Sequence, residues 1–318
     1  MHIPDGFLDA KTALATAALS AAGLGFALRQ VRRKMPPRRV PLLGLAAAFL
    51  FAAQMVNFPV AGGTSGHLIG GALVAALLGP SAAVVVVATV LIVQCFLFAD
   101  GGVLALGANI FNMGLVATLG GYAVYRFAQK LLPGPRGRVA ALAFAGWCST
   151  VLAAVSCAGQ LAWSGTVAWR VALPAMAGVH SLIGLGEGAI SALVLVAIAR
   201  TRPDLLAGPP DGAAPARLRE FVVLGLLVSL GVALFVAPFA CPWPDGFETV
   251  AGRLGLGPKA LAPLLPAPAP DYQLPGFASP RLATAAAGLA GALAVFALAI
   301  LFSRLVVRER PAARSSGV

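Results

Sequence analysis

Met1 and His2 place three metal-ligating nitrogens side by side: the Met1 α-amine, the His2 main-chain nitrogen and the His2 imidazole. Chelation through them closes a five-membered ring and then a six-membered ring. A metal that displaces the peptide proton is then held in a plane, the geometry that Cu(II) and Ni(II) favour. The other two histidines are His67 and His180. His67 follows the flexible run Gly62-Gly63-Thr64-Ser65-Gly66, and Pro4-Asp5-Gly6 is a turn signal that can fold the N-terminal segment back onto that run. His67 then supplies a fourth nitrogen. Imidazole suits Ni, Cu and Co alike, so ligand type leaves all three open. In isolation His67 reads as a helix-start histidine bonded to a carbonyl; paired with His2 at one membrane face, it reads better as a ligand.

Ligating groups need hydrogen-bonded partners to hold them, and Asn57, Thr64, Ser65, Asn109 and Asn112 are the candidates. Asn109 and Asn112 share a helix face, which equally suits a helix-to-helix hydrogen bond. His180 and Glu187 also share a face, two turns apart. A charge in a membrane span is a functional candidate, although mutual pairing or a bundle contact accounts for these two more simply. The glycines of Gly184-Leu185-Gly186-Glu187-Gly188 follow no strand and do not form a nucleotide loop. The chain has no G-x-x-x-x-G-K-[ST] run, no paired carboxylates and no Ser/His/Asp set, so it is not expected to be an enzyme or to carry its own ATPase site. Cys95, Cys148, Cys157 and Cys241 lack C-x-x-C spacing and read as packing residues.

What must position these groups is a membrane bundle. The 318 residues are 59% hydrophobic and 11% charged, well below the charge content of soluble domains. Residues 40–99, 101–125, 139–169 and 171–186 carry no charge, and each is long enough to contribute a span or most of one. The net charge of +12 marks topology and not nucleic-acid binding. Basic residues gather at 29–39, 126–138, 200–219 and 304–314, on alternate sides of successive apolar runs. The positive-inside rule makes that side cytoplasmic, with the N-terminus outside and the C-terminus inside. Residues 1–11 do not read as a signal peptide, and bulky His2 should preserve Met1.

Nine apolar helices can be drawn, at about 12–28, 40–57, 67–79, 81–98, 103–126, 139–160, 170–199, 220–239 and 281–303. The third is too short to span and is broken from the fourth at Gly79-Pro80, a pattern tolerated at membrane depth only where protein surrounds it. The expectation is an all-α polytopic membrane protein. Residues 1–200 form a seven-helix capture domain, 201–218 a cytoplasmic linker, 219–305 a two-helix domain with an outer loop, and 306–318 a cytoplasmic tail. Pro-Asp-Gly-Phe occurs twice, at 4–7 and 244–247, both on the outer side.

Four motifs in order, MHIPDGFL at the start, NFPVAGGTSGHLIGG at 57–71, ADGGVLALGANIFNMG at 99–114 and HSLIGLGEG at 180–188, resemble the CbiM/NikM family. These are substrate-capture subunits of energy-coupling-factor transporters for cobalt and nickel. Residues 217–305 resemble the small partner subunit CbiN/NikN, with Pro244-Asp245-Gly246-Phe247-Glu248 in place of the usual PDGLE. The resemblance implies an ion held by the terminal amine, the main-chain and ring nitrogens of His2 and the ring of His67. It implies partners too: a membrane-spanning coupling subunit and ATP-binding cassette subunits, with Ni2+ or Co2+ as cargo and no prosthetic group. It also implies that the two-helix extension assists metal loading through its outer loop. The competing expectation is an ATP-independent metal channel or a proton-coupled permease, which needs ionisable residues strung through the membrane.

Overall fold

The computed structural model describes residues 1–203 and 215–307, so most of the expected linker 201–218 and nearly all of the tail 306–318 lie outside the described residues. Among the described residues the protein is helical apart from one small ribbon, and six of these helices are long and apolar enough to cross a membrane. Helix α1 (Ala10–Lys34) opens on an Asp9 cap, whose carboxylate accepts from the Thr12 amide at 3.0 Å, and ends on Arg32, Arg33 and Lys34. At about 1.5 Å per residue its length roughly matches the hydrocarbon thickness. Its two ends therefore lie at opposite faces of the bundle. Arg29 and Arg32 line a cleft with Leu305 and Val306, which puts the chain's last helix end at the basic face.

Helix α2 (Val40–Gln54) is followed by an antiparallel ribbon, β1 (Phe58–Val60) and β2 (Thr64–Gly66), in which Phe58 pairs with Gly66. The turn between them carries Gly62 and Gly63 at φ +77° and +74°, left-handed conformations that glycine adopts without a Cβ clash. Helix α3 (Gly71–Leu78) and helix α4 (Pro80–Phe98) are separated at Gly79, with Pro80 at the first turn of α4, where its missing N–H costs nothing. The sequence placed His67 at the start of the short helix, but that helix begins four residues later. The Glu187 carboxylate accepts the Ile69 and Gly70 amides at 2.5 and 2.8 Å, and this holds the chain ahead of Gly71 out of the helix.

A short α5 (Leu106–Asn109) runs through a π-helical stretch (Ile110–Ala117) into α6 (Thr118–Leu131). Helices α7 (Gly134–Trp163) and α8 (Trp169–Thr201) form a long hairpin whose backbones approach through glycine. A Cβ on Gly188 would sit 2.4 Å from the Ala143 carbonyl oxygen, so no larger residue fits there. Helix α9 (Pro215–Gly231) continues through residues 232–239 into a loop that carries α10 (Gly246–Arg253), and α11 (Pro280–Val306) is the last helix among the described residues.

Helix α4 is the most enclosed span, with Val84, Val85, Val86 and Val87 all buried. Helix α11 packs on α2, close enough that a Cβ on Gly291 would meet the Phe51 ring. Large apolar side chains such as Leu14, Phe127, Leu193, Phe235 and Leu305 point outward from five different helices, a surface that suits hydrocarbon rather than water. Among the described residues the four cysteines are free, with Cys95 and Cys157 buried.

Gly188→Val should separate α7 from α8 and lower the melting temperature in detergent, in the range of about 1–3 kcal/mol for overpacking. Gly178→Ala, on the same helix with no atom within 4 Å of the added Cβ, should leave it unchanged or raise it.

Candidate metal centre

The N-terminal segment is buried and pinned at every residue that matters. Met1, His2 and Ile3 are 4, 9 and 0% exposed. Ile3 is held by Asn109, which accepts its amide at 2.8 Å and donates to its carbonyl at 3.1 Å, and by the Gly102 amide at 2.9 Å. Asp5 accepts three successive amides, from Val103, Leu104 and Ala105, at 2.9–3.2 Å, and so caps the helical turn that leads into α5. These contacts use the Pro-Asp-Gly turn anticipated from sequence. Its second copy lies alongside it: Phe7 and Phe247 meet edge to face, with centroids 5.2 Å apart.

This anchoring delivers the Met1 amine to 2.9 Å from Nε2 of His67. The Nδ1 of His67 faces the Leu68 carbonyl at 3.3 Å, which can only accept. Nδ1 is therefore the protonated nitrogen, and the Nε2 lone pair faces the amine, the arrangement a metal-ligating imidazole needs. Burial, and after it the Met1 ammonium, push the His67 pKa below the ordinary imidazole value. The ring thus stays neutral.

His2 stacks on His67, with centroids 5.5 Å apart and planes at 17°. Its Nε2 faces Gln94 Oε1 at 3.2 Å. Gln94 in turn donates to Gln54 at 2.8 Å, and Gln54 donates to the Ile69 carbonyl at 3.1 Å, so the chain of amides leaves only an oxygen facing His2. Nδ1 of His2 lies 2.9 Å from Asp100. The ring here bonds acceptors on both sides. For Nδ1 to ligate an ion it must leave Asp100, while Nε2 can keep Gln94 as its orienting partner.

Two carboxylates complete the cluster, and neither was among the candidate residues. Asp245, from the loop before α10, accepts from the Met1 ammonium at 2.7 Å and lies 3.8 Å from His67 Nε2. Asp100 accepts the Tyr272 hydroxyl at 2.6 Å besides contacting His2. Burial opposes both charges. The Met1 ammonium nevertheless holds Asp245 well below the usual carboxylate range, and His2 and Tyr272 do the same for Asp100. The second Pro-Asp-Gly-Phe copy was the only sequence signal for Asp245; Asp100 lay unremarked in the ADGG run.

The five candidate supporting residues divide. Asn109 holds Ile3 as described. Ser65 docks the second Pro-Asp-Gly-Phe, since its amide donates to the Pro244 carbonyl at 2.8 Å and its hydroxyl to the Trp243 carbonyl at 2.7 Å. Thr64 bonds Thr249 of α10 through their hydroxyls. Asn112 is used between helices, with Gln160 and Ser156 of α7. Asn57 contributes its carbonyl to the Cys241 amide, and among the described residues its side chain makes no hydrogen bond to Met1, His2 or His67. His180 and Glu187 do not pair with each other: Glu187 caps residues 69–70, while His180 Nδ1 donates to Met176 and its buried Nε2 has no partner.

No set of three or more His, Cys, Asp or Glu side chains placed to hold a metal occurs among the described residues. A metal centre in this cluster must therefore recruit main-chain nitrogen.

Comparison with known proteins agrees with a metal-handling membrane protein. Residues 2–205 match the family model CbiM, the cobalt uptake substrate-specific transmembrane region, and residues 219–308 match the PDGLE domain. The chain is similar to a NikMN-type fused protein of Archaeoglobus fulgidus, 39% identical over 96% of this chain and 98% of that one. It is also similar to the fused nickel transport protein NikMN of Rhodobacter capsulatus, 35% identical over 86% of this chain and 88% of that one. The crystal structure of a truncated transition metal transporter superposes with a TM-score of 0.58 at 34% identity, over 63% of this chain and 99% of that one.

The depressed carboxylates fix the sign of a pH effect. Their stabilisation of the docked N-terminus is fully present above the ordinary carboxylate range and is lost only as pH falls through their lowered values. Hydrogen exchange at the Ile3 amide, corrected for its intrinsic rate, should stay slow from about pH 7 to about pH 5. Asp5→Ala, which strips the acceptor from three amides, should speed that exchange by about tenfold or more.

Proposed function

The chain belongs to the CbiM family of cobalt-uptake substrate-specific membrane proteins, and from that premise we propose that it captures Ni2+ or Co2+ through the Met1 amine, the main-chain and Nδ1 nitrogens of His2, and Nε2 of His67. The observation that carries the proposal is the 2.9 Å separation of the Met1 nitrogen from His67 Nε2. Two ligands at right angles, each about 2.0–2.1 Å from one ion, stand about 2.9 Å apart. The pair is thus spaced as adjacent corners of a coordination plane. The His2 nitrogens follow from the covalent chain, since chelation from the amine proceeds through the amide to the ring. Asn109 and Asp5 hold the segment from behind, and Gln94 orients the His2 ring as an outer-shell partner does.

The ion arrives from outside the cell in this reading. The basic ends of α1 and α11 lie at the face opposite the cluster, which supports an outer N-terminus and an inner C-terminus. Residues 1–200 serve as the capture domain, and the two helices of 219–305 bring their outer loop over it. A membrane-spanning coupling subunit and ATP-binding cassette subunits supply the energy, making the chain the substrate-specific component of an energy-coupling-factor transporter. Its own sequence has no P-loop. Four nitrogens fit Ni2+ in a plane, and Co2+ with an added axial ligand.

One residue placed before Met1 should abolish ion retention while leaving the protein folded, with a lowered melting temperature, because it converts the amine to an amide, moves the free end away and takes the ammonium from buried Asp245. His67→Ala should lose the ion likewise. Elemental analysis of purified protein reads both, and each loss should exceed the roughly 10–100-fold that outer-shell changes cost. Retention of Ni2+ or Co2+ by the extended chain would remove the amine from the site.

A further inference from the structure

Resting on that reading, we propose that Asp245 is an oxygen ligand to the arriving ion, which the C-terminal unit presents to the Met1 amine and His67 before the His2 nitrogens take over. Met1 N, His67 Nε2 and Asp245 Oδ2 are separated by 2.9, 2.7 and 3.8 Å. These separations admit a single point about 2.0 Å from all three atoms, the ordinary distance for a first-row divalent ion to nitrogen or carboxylate oxygen. A salt bridge that served only to neutralise the amine would not need the same oxygen to reach His67 as well.

The carboxylate is built into place. Its Oδ1 accepts the Glu248 amide at 2.8 Å while Glu248 accepts the Asp245 amide at 2.9 Å, a capping box that fixes α10 and leaves Oδ2 facing the amine. The preceding Pro244 carbonyl is tied to Ser65, two residues before His67, so the two ligands are carried on bonded segments. The next residue has to be glycine, because a Cβ on Gly246 would stand 2.8 Å from the His180 ring. His180 adds an independent sign of a ligand. Its Nδ1 donates to a carbonyl, so its Nε2 lone pair is bare, buried and on the wall of the same pocket as Met1, His67 and Asp245.

The order of events follows from what each ligand must release. An ion at this point replaces a proton of the Met1 ammonium, which leaves to solvent, and takes over the atoms that the ammonium already holds together, Asp245 Oδ2 and His67 Nε2. His2 Nδ1 must in addition part from Asp100, so the ion first meets Asp245, Met1 and His67. It is handed on when His2 exchanges Asp100 for the metal, and Asp100 keeps the Tyr272 hydroxyl, also from the C-terminal unit. Asp245 then withdraws from a full nitrogen shell.

Asp245→Asn isolates the oxygen donor. Asparagine is as good a helix cap as aspartate: its Oδ1 keeps the Glu248 amide and its Nδ2 takes the place of Oδ2, so α10 persists, while Asp5 and Asn109 still hold the N-terminal segment. In the full chain, Co2+ loading followed by the visible d–d absorption should slow by at least about tenfold, with the same final occupancy at saturating Co2+ and partial recovery in Asp245→Glu. The ratio of the two rates should persist at about 0.5 M salt, where long-range attraction of a cation is screened. Equal loading rates, or a ratio that collapses at high salt, would overturn the ligand role and leave the capture site standing. Failure of the unaltered chain to hold Co2+ would instead overturn the Met1, His2 and His67 site, and this inference with it.

Discussion

The site depends on immobilising a chain end, and the interaction that achieves it is Asp5 on the amides of residues 103–105. A terminus is ordinarily the most mobile part of a chain. A ligand set made from its first two residues is useful only if the entropy of that end is removed before the ion arrives. Asp5, Asn109 and the Gly102 amide do this without touching the proposed coordination plane. Gly102 has to be a glycine for it, since a Cβ there would overlap the Asp5 carboxylate.

Around that anchor the bundle brings together parts that are far apart in sequence. His67 owes its extended setting to Glu187, a carboxylate 120 residues away whose two oxygens both accept main-chain amides. Buried charge is tolerable when it is fully hydrogen-bonded, and here it fixes where α3 starts. The C-terminal unit contributes Asp245 to Met1 and Tyr272 to Asp100, so it contacts Met1 directly and His2 through its carboxylate partner. The two Pro-Asp-Gly-Phe copies perform parallel tasks. Asp5 caps the turn that holds the terminus, and Asp245 caps α10 beside the amine.

The sequence made the helical bundle and its membrane setting legible, because uncharged runs of span length have few alternatives to helix in lipid. Met1, His2 and His67 were also legible as candidates, through the chelate geometry of an N-terminal histidine and the scarcity of other imidazoles. The start of α3 was not, because the cap that decides it comes from α8 and leaves no local signal. Asp100, Asp245 and Tyr272 were missed as members of the cluster for a related reason: each acts through a contact across the fold, and the one local signal, the repeated Pro-Asp-Gly-Phe around Asp245, does not say what that residue touches. Asn112 illustrates the reverse case. Its spacing from Asn109 suggested a shared role, yet the π-helical stretch from Ile110 follows Asn109 and the two side chains serve different partners.

The central claim is that the ion is held by nitrogen from the first two residues and His67. X-ray absorption on the Ni2+-loaded full chain reads the ligand atoms directly. The account predicts a first shell of four nitrogens at about 1.9–2.1 Å with no sulfur scatterer. A shell dominated by oxygen, or one containing the Met1 or a cysteine sulfur, would contradict it.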